Sequence, residues 1–175
     1  MSARRILASF ALLFFAAGAT SAHPLQSKDS KLEVVLPDGW EAATLPNPSA
    51  KLQAKCLEKA AFCIVISESK EDFGHNSLEE YAKMILELEE HRSKLENRSV
   101  SGPKLIKLNG VDAIQYEIRG TTKNLKLHFL KTFIESPTRW NDVMCWTTPS
   151  HWEELQDDFQ QINETFKVND KGMGK

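Results

Sequence analysis

The chain lacks most of the signatures that announce chemistry. Its five histidines, His23, His75, His91, His128 and His151, stand apart from one another and from cysteine, so no zinc-type spacing exists. There is no Gly-x-Ser-x-Gly elbow for an activated serine. Gly172-Met173-Gly174 lies in the tail and opens no helix, which excludes a phosphate-cradling loop. Cationic excess is missing as well: 22 Lys and Arg face 24 Asp and Glu, for a formal net charge of −2. That balance excludes a broad nucleic-acid-binding surface. No internal repeat, low-complexity block or second domain is visible. These absences point to no catalytic residues, no metal ligands and no cofactor.

What is present begins with an address. Arg4-Arg5 precede an apolar stretch centred on Leu12, Leu13, Phe14 and Phe15, and small residues follow up to Ala22. This is the three-part pattern of a secretory signal, shorter than the roughly 20 apolar residues of a spanning helix. Cleavage between Ala22 and His23 leaves the polar chain; cleavage after Ala19 is the better Ala-x-Ala match. Residues 1–22 are expected to be removed, giving a periplasmic or secreted protein with no stable membrane insertion. Cys56 is the first cysteine, so an acylated cysteine at the new N-terminus is not expected.

The remaining ~150 residues suit one domain whose core needs no metal or disulfide. Residues 23–30 read as a flexible arm, 31–168 as the domain and 169–175 as a frayed tail. Leu32, Val34 and Leu36 alternate on a first strand that Pro37-Asp38-Gly39 ends. Residues 51–57 and 61–69 read as a hairpin. Ser77 and Glu80 form a capping box ahead of a helical stripe of Leu78, Tyr81, Ala82, Ile85 and Leu88.

Strands are then predicted over 103–108, 111–120, 125–135 and 139–148. Asn109-Gly110 is a strong two-residue hairpin signal. A second capping box, Ser150 with Glu153, is predicted to open a last helix with a stripe of Trp152, Leu155, Phe159, Ile162 and Phe166. Hairpin-linked strands favour an antiparallel sheet, so the class is α+β.

Three cysteines admit one bridge. A hairpin loop of four residues, Glu58 to Ala61, would set Cys56 opposite Cys63, whereas a register shifted by one pairs Cys56 with Phe62 and separates the thiols; the two exclude each other. The alternative is three buried cysteines acting as small hydrophobes. Cys145, between Met144 and Trp146, reads as an inert buried thiol. Glu87, Glu89 and Glu90, and Glu153, Glu154, Asp157 and Asp158, read as wet helix faces, with calcium or a basic partner as the sharper option. Lys123, Lys126 and Lys131 read as edge lysines that block strand pairing, or as a partner-binding edge.

Taken in order, several of these segments resemble the PsbP/DcrB-like family. They are Leu36-Pro37-Asp38-Gly39-Trp40, Ser77-Leu78-Glu79-Glu80-Tyr81-Ala82, Asn109-Gly110-Val111-Asp112-Ala113, and Trp146-Thr147-Thr148 with Trp152 and Phe166. The resemblance implies an antiparallel β-sheet flanked by helices, an α/β/α sandwich, and a mostly non-catalytic role. The expectation is an exported non-enzymatic binding or accessory protein for an unidentified protein or small ligand. A metal-binding accessory protein, or a hydrolase or redox enzyme with a site invisible in sequence, are the rivals.

Overall fold

A computed structural model describes residues 23–29, 31–73 and 77–169. Residues 1–22 lie outside that set, and so does the tail beyond Asn169. Its strands are β1 (His23–Gln26), β2 (Leu32–Leu36), β3 (Glu41–Ala42), β4 (Ala50–Cys56), β5 (Ala61–Ser69), β6 (Glu96–Leu108), β7 (Val111–Thr122), β8 (Leu125–Glu135), β9 (Arg139–Thr147) and β10 (Lys167–Val168). Its helices are α1 (Lys70–Phe73), α2 (Leu78–Arg92) and α3 (Gln156–Thr165).

Seven strands form one antiparallel sheet in the order β3-β4-β5-β9-β8-β7-β6. Strand alternation gives it two faces. One carries Ala61, Cys63, Val65, Val143 and Cys145, and packs under β2 and α3. Leu155, Phe159 and Ile162 of the predicted stripe are buried there with Trp152 and Phe166. The other face carries Phe133, Ile114 and Trp140 beneath Leu78, Tyr81 and Ala82 of α2. The result is the α+β arrangement expected, a sheet between helical layers. The Ser77–Glu80 capping box is formed in both directions, at 3.2 and 2.9 Å. The Asn109-Gly110 turn has φ of 52° and 82° at its two central residues, the left-handed pair a type I′ hairpin requires.

Four expectations need correction. The arm is a strand: β1 pairs with β2 from His23↔Leu36 to Gln26↔Glu33. With β10 on its other side, paired at Leu32 and Glu33, β2 becomes the centre of a second, three-stranded sheet. The β4–β5 hairpin loops over residues 57–60, with Ala60 at φ 45°, and sets Cys56 against Ala61 and Ala54 against Cys63. That is neither register expected. It removes Cys63 from the position opposite Cys56, and all three cysteines are free and buried.

The second capping box is not made. Ser150 sits inside a 3-10 turn, Pro149–His151, and its hydroxyl meets that of Thr148 at 2.9 Å. A second 3-10 turn, Glu153–Leu155, leads into α3. Pro149 opens the first turn instead, and its carbonyl accepts at 3.4 Å the Trp152 N–H that a Ser150 cap would have used. Finally, Lys131 lies on β8, between β9 and β7 in the sheet interior, and is not an edge lysine.

Candidate functional site

α2 covers only part of its sheet face. Beyond Tyr81 the face continues as half-buried Ile66, Met144, Phe129 and Leu127, with a Phe62–Trp146 stack at 5.5 Å. Those side chains share a face because Phe62↔Trp146, Ile64↔Met144 and Phe129↔Trp146 are cross-strand partners. Between this surface and the C-terminal half of α2 runs an open groove of about 680 Å³. Ile85 and Leu88 line it on the helix side, and Leu95 lines it just after the helix. Leu95 can settle there because residue 120 is glycine: a Cβ on Gly120 would collide with the Leu95 side chain. The volume is within the range of small-molecule sites, about 300–1,000 Å³.

Three acids, Glu68, Glu89 and Asp142, also line the groove, and two of them hold a lysine buried beside it. Lys131 is 0% exposed, and its Nζ donates to Glu89 Oε1 at 2.6 Å and Asp142 Oδ2 at 2.7 Å. Burial alone would depress this ammonium, but the two carboxylates outweigh it and hold Lys131 above its ordinary range. Asp142 is pushed up to about 6, first by burial and then by Glu89 and Glu68, against the pull of Lys131. Beside them the Tyr81 hydroxyl donates to Glu68 Oε2 at 2.8 Å. Burial raises that phenol well above its ordinary value, and Glu68 adds to the shift. Cations line the groove as well: Arg92, Lys94 and Arg98, with Arg98 3.5 Å from Glu90.

His128, His151 and the second acidic run lie elsewhere, and the first acidic run divides. His128 lies on the opposite sheet face, stacked on Trp152 with ring centroids 3.3 Å apart. Its Nε2 is 3.2 Å from Glu117 and accepts from Arg119 Nε at 3.1 Å. Burial lowers its pKa, partly offset by the Glu117 contact. His151 contacts Glu154 at 2.6 Å, and Asp158 accepts from the Trp40 indole at 2.9 Å. Glu87 is exposed, whereas Glu89 turns inward to Lys131. Among the described residues no three His, Cys, Asp or Glu side chains gather as a metal site. No helix among them is long and apolar enough to cross a membrane. Of the expected cleavage pair, Ala22 is outside the described residues and His23 begins β1.

The buried ion network was absent from the sequence reading. Its signal was available: Lys131 interrupts the Phe129/Phe133 face of β8, and Asp142 interrupts the Trp140/Met144 face of β9. Opposite charges at inward positions of two apolar strands mark a buried pair.

Comparison with family models gives no match, and comparison with curated proteins gives none either. Solved structures do match. Cyanobacterial PsbP (CyanoP) from Synechocystis sp. PCC 6803 superposes with a TM-score of 0.63 at 14% identity, covering 93% of this chain and 99% of that one. PA94 from Pseudomonas aeruginosa, a protein of unknown function, gives 0.54 at 16% identity over 82% of this chain and 94% of its own. LpqN of Mycobacterium tuberculosis, involved in cell envelope biogenesis, gives 0.53 at 13% identity over 86% and 92%. The architecture expected from the motifs is thus the one found, and the chain has a PsbP-like fold.

Proposed function

We propose that this chain is an exported, non-enzymatic accessory protein of the PsbP/DcrB-like kind, acting in the periplasm or outside the cell. It binds a small amphiphilic acid in the groove beside α2. The observation that carries this reading is the uncovered apolar sheet face, Ile66, Met144, Phe129 and Leu127, at the foot of an open 680 Å³ groove. A single acyl or aromatic tail suits that surface, since burying apolar area contributes roughly 25 cal/mol per Å². Charge sets the orientation. The acids among the lining residues, Glu68, Glu89 and Asp142, repel an anionic head, while exposed Arg92 and Lys94 attract one. Export is supported by the leader pattern of residues 1–22.

Equilibrium binding of dodecanoate, read by displacement of an anionic apolar dye, tests the reading. One saturable site is expected, weakened at least tenfold by Met144→Glu and severalfold by Arg92→Glu/Lys94→Glu. Equal binding of dodecylamine would remove the head-group assignment. Absence of saturable binding by either amphiphile would remove the groove as the site.

A further inference from the structure

We propose that Cys63 and Cys145 are a disulfide site, joining β5 to β9 across the centre of the sheet. The two residues are direct cross-strand partners, and their sulfurs lie 2.8 Å apart. Directly opposed residues in an antiparallel pair have Cα atoms about 4.5 or 5.5 Å apart, and both values lie within the range disulfides span. Cys56 is set apart by register. It faces Ala61, whose side chain has no sulfur, while Cys63 faces Ala54 on that side and Cys145 on the other. Of the three pairings open to three cysteines, the fold therefore brings one together.

Burial decides when the bond forms. Cys63 is 3% exposed and Cys145 is not exposed at all, under the layer made by β2 and α3. Oxidation consequently precedes closure of that layer. The oxidant is a protein or small-molecule disulfide of an oxidising compartment. One cysteine thiolate attacks a sulfur of that disulfide and expels the other as a thiolate. The second cysteine, losing its proton, then attacks the mixed disulfide and expels the remaining sulfur. Two thiols lose two protons and two electrons, and the oxidant leaves as a dithiol or two thiols. In the folded reduced chain this route is shut, because the sulfurs are enclosed and burial pushes the Cys145 thiol up, suppressing the thiolate.

The test refolds the denatured, reduced chain in a mixture of oxidised and reduced glutathione, followed by alkylation, digestion and mass spectrometry. A peptide pair linked through Cys63 and Cys145 is expected, with Cys56 alkylated. Cys56→Ala should leave that link intact. The oxidised protein should melt about 10 °C above the reduced one, as expected for a bond closing a loop of this length. Oxidised glutathione added to the already folded reduced chain should give at least a hundredfold slower linkage. Three alkylated cysteines after refolding, or a link through Cys56, would overturn the assignment. Linkage at equal rates in folded and refolding chain would overturn the order of events.

Discussion

Replacing Lys131 by methionine removes the one cation from a buried cluster while keeping a side chain of similar length against Phe133, over whose ring the ammonium sits at 5.1 Å. Asp142, 3% exposed, is then left with Glu89 as its nearest charged neighbour and no cation to offset its burial. Breaking a buried pair from one side costs about 3–5 kcal/mol, because the orphaned charge stays desolvated. With a urea m value of about 2 kcal/mol/M, the unfolding midpoint should fall by roughly 1.5–2.5 M. The double variant Lys131→Met/Asp142→Asn should regain most of that loss, since Glu89 is a third exposed and can turn to water.

The pH response has a definite sign. The folded state prefers protonated Asp142, so its contribution is full below the unfolded value near 3.8 and is lost as pH rises through about 6. Without Lys131 that preference strengthens, so the single variant should recover stability on acidification from pH 7.5 to 5 relative to the native chain. Urea titrations at both pH values check this. A loss below about 1 kcal/mol that does not change with pH would refute the reasoning, because it would mean Lys131 is not holding buried carboxylates.

Three further outcomes are expected. Ser77→Ala should cost about 1 kcal/mol by removing a formed cap, whereas Ser150→Ala should cost under about 0.5 kcal/mol; chemical denaturation of both separates the two helix starts. Trp152→Ala, which opens the contacts with His128 and Phe159, should destabilise by about 3–5 kcal/mol in the same assay. An NMR titration should find the His128 imidazole below the ordinary value of about 6.5, and moving back toward it in Trp152→Ala.

Local chemistry was legible where a short segment decides its own conformation. Ser77 with Glu80, and Asn109 with Gly110, formed as their spacing required, because cap and turn geometry depend on three or four neighbouring residues. The alternation of Leu32, Val34 and Leu36 likewise placed a strand with one buried face. What failed depends on distant partners. His23–Gln26 looks polar and mobile in isolation, yet β2 supplies the backbone groups that order it. The β4–β5 register was settled by a loop at residues 57–60, with Ala60 in a left-handed conformation that no glycine announced. Ser150 and Glu153 had cap spacing, but Pro149 and the tight turns after it used the backbone differently. Lys131 was misplaced because edge position is a property of strand order, and strand order is not local. The groove was out of reach for a related reason: it forms between α2 and side chains of β5, β7, β8 and β9 that only the fold brings together.

An amphiphilic acid should bind at one place on this fold, beside α2. Backbone amide shifts of the labelled protein, followed during titration with dodecanoate, should change for Ile66, Ile118, Phe129 and Met144 with a common one-to-one saturation curve. Changes at Arg92 and Lys94 should follow the same curve. Shifts gathered instead around His128 and Trp152 on the opposite sheet face, or no saturating shifts at all, would contradict it.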